Sequence, residues 1–275
     1  TPLSSHEVAQ GYKTVTDQAV TVKFKIQNSK FKIKEGELFI LAWTTTPWTL
    51  PGNVALAVGE KIKYALIRSG KEYYIAAKDR LSSLFPPGIE IIQEMLGKEL
   101  IGLEYESLFE VEKLKSDKSY KIYPADFVTT EDGTGVVHTA VMYGEDDYEL
   151  GLKIGLSRHH TVDQSGKFTA DVPGFEGKYV KSADNEIANY LKDKNLLFKE
   201  EQYEHDYPFC WRCQQPLLYY AMDSWFIAMS KLEKQLGKNN QKINWYPGHL
   251  KDGRFGEWLK GVKDWAFSRE RYWGT

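Results

Sequence analysis

Residues 43–58 read WTTTPWTLPGNVALAV. They follow the apolar run Glu37-Leu-Phe-Ile-Leu-Ala42, which has the length and aromatic or β-branched content of a buried strand. Three threonines close that run. Pro47 then ends the ladder, because it carries no backbone N–H to donate. Side chains alternate along an extended chain, so Thr44 and Thr46 share one face while Thr45 takes the other. Hydroxyls at a strand end beside a proline turn are placed to line a small polar pocket. The same pattern also describes an ordinary Thr-rich strand end with a Pro-Trp turn, and spacing does not choose between the two.

Around this stretch the first 140 residues read mainly as strands. Val20–Ile26 alternates, Lys63–Lys78 reads as a hairpin turning at Ser69-Gly70, and Ile89–Gln93, Lys121–Tyr123 and Gly135–Ala140 are further candidates. Short strands punctuated by turn residues predict a barrel or sandwich-like core. Helices are predicted over Glu145–Ile154, Ser182–Lys194 and Gly253–Lys263. In the second, Ser182 is a candidate cap, and Ile187, Tyr190 and Leu191 fall on one face. Pro173-Gly174 marks a loop.

With 275 residues, 42% hydrophobic and 27% charged, the chain has an ordinary globular composition and enough length for a large domain with an appendage. It has no apolar run long enough to span a bilayer and no segment patterned as a signal peptide. Two cysteines exclude a disulfide framework, which makes the cytoplasm the expected compartment; a monomer is the expected state. Net charge is −2, unevenly distributed. Lys231–Thr275 holds ten Lys or Arg against five Asp or Glu, a balance of +5 that leaves −7 for the preceding residues. Six of the eight tryptophans lie beyond residue 200. The expectation is a separate last quarter with a basic, aromatic surface, facing nucleic acid or simply solvated.

A second informative segment, Glu131–Gly151, reads EDGTGVVHTAVMYGEDDYELG. Gly133 and Gly135 flank Thr134, which permits a sharp turn or a close approach to a ligand; by itself this is a weak phosphate- or ribose-loop signal, and a tight hairpin is the stronger reading. His138 lies in the strand that follows. Glu145, Asp146 and Asp147 sit at a helix start, where they complement the macrodipole whatever else they do. Neither a metal-ligand pattern nor a Ser-His-Asp arrangement is readable from the spacing.

Taken together, the WTTTPWTLPGN and GTGVVHTA blocks, the latter followed by YGEDDYELG, resemble the editing domain inserted into isoleucyl-tRNA synthetases. The valine and leucine enzymes carry Thr-Arg-Pro-Glu where this chain has Thr45-Thr46-Pro47-Trp48. Pro208–Cys213, Asn244–Pro247, Gly253–Leu259 and Asp264–Gly274 are similar to the same family, so the resemblance covers essentially the whole chain. One departure is Val141, where the family has proline; a more mobile loop before Asp147 is the expectation. The ATP-handling His-Ile-Gly-His and Lys-Met-Ser-Lys-Ser signatures are missing, so the expectation is an excised fragment that neither activates isoleucine nor charges tRNA.

The resemblance implies an α+β, mainly β fold: a β-barrel editing domain with flanking helices over residues 1–200, and a helical and strand return segment over 201–275. It implies hydrolysis of mischarged Val-tRNA(Ile), with the tRNA(Ile) acceptor end, the mischarged valine and the rest of the synthetase chain as partners, and no membrane. Editing answers a known limit. One missing methylene gives only about 1–3 kcal/mol of discrimination, isoleucine against valine in this kind of enzyme being the familiar case. By resemblance, Asp147 binds the substrate ammonium and His138 bounds the side-chain pocket. Thr44, Thr45, Thr46 and Asn53 surround the ester and terminal ribose as the catalytic set. Trp48 walls the pocket, and Gly133, Thr134 and Gly135 lie against the terminal adenosine. No protein general base is evident, so a water oriented by threonines and a ribose hydroxyl is expected. No cofactor is expected. Cys210 and Cys213 form half of a four-thiolate zinc site, which needs ligands outside the chain; His205 and Asp206 are undistinguished third candidates. The alternative function is a passive binder of the tRNA 3′ end that needs the full synthetase for activity.

Overall fold

The computed structural model describes residues 3, 5–28, 31, 33 and 35–268. The last part of the Asp264–Gly274 motif, beyond Ser268, therefore lies outside the described residues. In chain order the elements are α1 (Ser5–Ala9), β1 (Tyr12–Lys25), β2 (Glu37–Thr44), β3 (Ala55–Val58), β4 (Lys63–Ser69), β5 (Glu72–Ala77), α2 (Leu81–Leu84), β6 (Glu90–Leu96), β7 (Lys121–Pro124), β8 (Val136–Thr139), α3 (Glu145–Ile154), α4 (Asp184–Asp193), β9 (Leu197–Pro208), β10 (Phe226–Ile227), α5 (Glu233–Gln241), α6 (Arg254–Lys260) and β11 (Trp265–Ala266). A 3-10 turn over Pro47–Gly52 joins β2 to β3. No helix among the described residues is long and apolar enough to cross a membrane.

Two compact units result. The larger comprises Lys13–Tyr207 and Pro216–Ala221, and the smaller comprises Thr1–Tyr12, Pro208–Gln215 and Met222–Thr275. In the larger unit six strands run in the order β6-β4-β5-β2-β1-β9, and a second sheet runs β7-β3-β8. β1–β2, β4–β5, β4–β6 and β3–β8 pair antiparallel, whereas β2–β5 and β3–β7 pair parallel. Single bridges from Ile26 to Tyr105 and from Glu104 to Lys121 tie the layers. The fold is mixed and mainly sheet. Among the described residues no barrel closes, because β6 and β9 remain the two ends of the large sheet.

Alternation explains why β2 is central. Leu38, Ile40 and Ala42 enter the main core with Val20, Val22 and Phe24 of β1, whereas Phe39 and Leu41 join Ala65, Ile67, Leu81 and Phe85 on the opposite face. Thus the strand that delivers the threonines is covered on both sides. The Lys63–Lys78 hairpin forms as expected, with Gly70 at φ +63° in its turn. Ser182 does not cap α4. Ala183 occupies that position, and the Ser182 hydroxyl donates to the Tyr179 carbonyl at 2.8 Å inside a preceding 3-10 turn. Val141, which stands where the family has proline, is buried against Gly151 of α3, and the turn is closed by Tyr143 N–H donating to Ala140 O at 2.9 Å.

In the smaller unit α5 and α6 pack together and β10 pairs antiparallel with β11. Trp225, Tyr246 and Phe267 are exposed there.

Candidate functional site

Four side chains form a continuous polar line at the end of β2. The Thr44 and Thr46 hydroxyls lie 3.1 Å apart, as alternation along the strand requires, and the Thr46 N–H donates to Thr44 Oγ1 at 3.1 Å. Thr46 Oγ1 lies 3.4 Å from Thr49 Oγ1, which is 2.9 Å from His138 Nε2. Pro47 causes this geometry. By ending the strand it starts the 3-10 turn, which swings Thr49 back over Thr46. β8 supplies His138, held in register opposite Leu56 of β3.

Thr49 Oγ1 lies 2.8 Å from Thr46 O and 2.9 Å from His138 Nε2; its single hydroxyl proton serves one of the two, and that choice sets the His138 tautomer. Nδ1 is buried and without a hydrogen-bond partner. Burial pushes the His138 pKa down to about 4, so the ring is neutral at physiological pH. Such a group is a weak base and is suited to shaping and polarising a pocket.

Asp147 is the third residue of α3, and its Oδ2 accepts the Ala140 N–H at 3.0 Å. Ala140 lies two residues beyond His138, so the carboxylate is anchored at the end of the strand that carries the imidazole. Burial raises its pKa to about 6; the Ala140 N–H opposes the rise and Asp146 adds to it. Asp147 is half-buried by surface area, and among the described residues it forms no ion pair, so it has room to take a cation.

The glycine loop reaches the same strand end. Gly133 has φ +65° and Gly135 φ +73°, a region that other residues seldom adopt. A Cβ on Gly133 would come within 3.0 Å of the Trp43 ring, one residue before Thr44. Arg80 braces the loop by donating to Gly133 O at 3.0 Å and Glu131 O at 2.8 Å, and Thr134 O accepts the Ala77 N–H at 2.8 Å. Thr134 itself is buried, its hydroxyl engaged with the Val136 backbone.

Other predicted residues are placed differently. Asn53 is buried with both ends of its amide engaged: Nδ2 donates to Ala55 O at 2.9 Å and Oδ1 accepts from Tyr105 Oη at 2.7 Å. It holds the start of β3 and has no bond to the threonine line. Thr45 is half-buried just beyond β2 and stands outside that line. Trp48 is buried, with its ring edge-on to Tyr143 at 5.2 Å between centroids. The Tyr143 oxygen in turn accepts from the Thr161 and Val162 N–H groups at 2.7 and 2.9 Å.

Thr49 was inside the quoted stretch but carried no signal as a site residue, because its partner lies 89 positions away. Asp184, which accepts the Trp48 N–H, was equally silent.

Among the described residues no group of three or more His, Cys, Asp or Glu side chains is placed to hold a metal. Cys210 and Cys213 are free thiols, and hydrogen bonding from the Cys213 backbone holds the Cys210 thiol below its ordinary range. His205 faces Asp17 at 3.3 Å, and Asp206 accepts from Thr14 at 2.9 Å. The cysteine pair alone supplies two of the four donors a structural zinc site takes.

The model of the family described as tRNA synthetases class I (I, L, M and V) matches residues 1–275, and the chain belongs to that family. Two solved structures share its fold. A domain described as GlLeuRS-CP1 has a TM-score of 0.53 at 14% identity, covering 67% of this chain and all of that one. The P. knowlesi cytosolic leucyl-tRNA synthetase editing domain has a TM-score of 0.51 at 13% identity, covering 69% and 97%. By sequence the relatives are isoleucine–tRNA ligases. The protein of Dehalococcoides mccartyi (strain CBDB1) is 48% identical, matching 100% of this chain and 30% of its own length. Isoleucine–tRNA ligase 2 of Bacillus anthracis is 47% identical, matching 100% and 26%. The chain thus spans less than a third of these relatives.

Proposed function

We propose that this chain is the editing module of an isoleucine–tRNA ligase and hydrolyses the ester of Val-tRNA(Ile). The observation that carries the proposal is the Thr44–Thr46–Thr49–His138 line, with the Asp147 carboxylate anchored at Ala140, two residues beyond His138. The substrate's ammonium supplies the cation that Asp147 lacks. Valine's side chain meets the neutral His138 edge, and isoleucine's extra methylene is excluded by bulk.

The threonine hydroxyls and the vicinal ribose hydroxyl hold a water against the aminoacyl carbonyl. The water oxygen bonds to the carbonyl carbon, the carbon–oxygen bond to the ribose breaks, and the departing ribose oxygen takes a proton. Free valine and tRNA(Ile) leave. Because a histidine titrating near 4 is a poor base at neutral pH, rate enhancement comes from position and from polar groups already in place. The acceptor end lies along the Gly133–Gly135 loop. The rest of the synthetase provides the tRNA body contacts, in the cytoplasm.

The test is deacylation of Val-tRNA(Ile) by Asp147→Ala and His138→Ala. Loss with the first, and hydrolysis extended to Ile-tRNA(Ile) with the second, support the proposal. A fall of many orders of magnitude in His138→Ala with no widening to isoleucine would make His138 the base and refute this mechanism.

A further inference from the structure

The Pro47–Gly52 turn carries Trp48 and Thr49, and one contact from far along the sequence holds it. A helix start leaves its first N–H groups without internal acceptors. Pro47 has no N–H, and the Thr49 N–H donates to Thr46 O at 3.0 Å. Only the Trp48 N–H needs an outside partner at this end. Thr46 stands in the capping position but makes no side-chain cap bond. Asp184 Oδ1, 136 positions on, accepts the Trp48 N–H at 2.8 Å.

The acceptor is firmly held. Asp184 begins α4, whose Ile187, Ala188 and Leu191 are buried in the main core. The Trp48 ring, at the other end of the residue, rests on a Tyr143 that two backbone N–H groups fix in place. The turn is therefore pinned by its backbone at Asp184 and by its ring at Tyr143. Its next residue, Thr49, makes the bond to His138.

We propose that Asp184 is a positioning residue for the editing pocket: its carboxylate caps the Pro47–Gly52 turn from across the domain and so fixes where Trp48 stands and where Thr49 meets His138. This rests on the function proposed above. Asp184 touches neither substrate nor reacting atoms; it acts through the turn. Burial raises its pKa to about 7, Lys181 and the Trp48 N–H draw it down, and Asp17 pushes it up. Nearby, Lys181 Nζ is 3.6 Å from Asp17 Oδ2 and 4.0 Å from the Tyr207 ring centroid, and His205 Nε2 is 3.3 Å from the same Asp17 oxygen. Asp184 has the Trp48 N–H as its donor and the Lys181 charge nearby, which fits a structural acceptor for the turn and leaves the substrate ammonium to Asp147.

The experiment compares Asp184→Ala, Asp184→Ser and Asp184→Asn in the 275-residue chain, below the melting temperature of each. Asparagine keeps an acceptor at the same reach; alanine removes it and serine withdraws it. Asp184→Ala is expected to slow Val-tRNA(Ile) deacylation about tenfold and to narrow the preference over Ile-tRNA(Ile) by at least about threefold, the usual scale for a misplaced pocket group. Asp184→Asn stays within about threefold of the unaltered chain on both. Hydrogen exchange at the Trp48 amide speeds in the alanine variant and not in the asparagine variant. Should alanine not fold, serine carries the same expectations.

An unchanged valine-to-isoleucine ratio in the variant lacking the acceptor overturns the proposal, even if the rate falls. So does unchanged exchange at Trp48. If the unaltered chain fails to hydrolyse Val-tRNA(Ile), the proposed function fails and the positioning role in the pocket fails with it, whereas normal turnover with an unchanged ratio sinks the positioning role alone.

Discussion

Replacing Asp147 with asparagine is predicted to make the protein more stable while disabling it. The carboxyl's pKa rises from 3.8 to about 6 on folding, chiefly through burial. Below pH 3.8 the group is neutral in both states, and the aspartate costs nothing relative to the amide. Between 3.8 and 6 the unfolded chain releases its proton while the folded chain keeps it, so stability falls as pH rises. Above pH 6 the deficit is constant. Two pKa units correspond to about 3 kcal/mol. The first turn of α3 returns about 0.3–1 kcal/mol of favourable macrodipole interaction to a charged residue there. The net gain for Asp147→Asn is therefore about 2 kcal/mol at pH 8 and near zero at pH 3.5. The amide oxygen can still accept the Ala140 N–H, so no bond is lost. Urea unfolding of the larger unit at pH 3.5, 5, 6 and 8 measures this difference at constant m. In the same variant, deacylation of Val-tRNA(Ile) falls by about a hundredfold or more, as expected for losing a charge-assisted bond to an ammonium. A stability difference that is flat from pH 3.5 to 8, or an asparagine variant less stable at pH 8, would refute the reasoning.

Other outcomes follow from the same contacts. Thr49→Val keeps the shape but leaves His138 Nε2 without its hydrogen-bond partner; it is expected to cost about 1–3 kcal/mol in a melting or urea experiment and to blunt discrimination between valine and isoleucine esters. His138 binds its proton at 6.5 when unfolded and at about 4 when folded, so stability is lost as pH falls through that window. The loss approaches about 3 kcal/mol by pH 4 and is absent in His138→Gln, which a pH series of unfolding curves detects. Gly135→Ala forces a side chain to φ +73° and places its Cβ 2.4 Å from that of Ala77. A loss of at least about 2 kcal/mol is expected, visible as a lowered Tm.

Local signals were legible in the sequence, and long-range ones were not. The Ser69-Gly70 turn, the alternation in β1 and β2, and the acidic start of α3 are written within a few residues of where they act. β9 was missed because its Leu197–Pro208 segment is polar and charged at the end of a sheet, where little of it needs to be apolar. α5 was missed for a related reason: EKQLGKNNQ has no apolar face and contains a glycine.

The site divides in the same way. Thr44 and Thr46 meet through strand alternation, which sequence predicts. Thr49 with His138 and Trp48 with Asp184 meet only through the folding of β2, β8 and α4 around one core. Asn53 illustrates the same limit: its polar side chain lies near the threonines in sequence, and its bonds to Tyr105 and Ala55 come only with the fold.

The most direct test of the central claim is hydrolysis by the 275-residue chain of Val-tRNA(Ile) and Ile-tRNA(Ile), followed side by side under identical conditions. The account predicts release of valine well above the uncatalysed rate, with isoleucine retained on its tRNA. Equal hydrolysis of the two, or hydrolysis of neither, would contradict it.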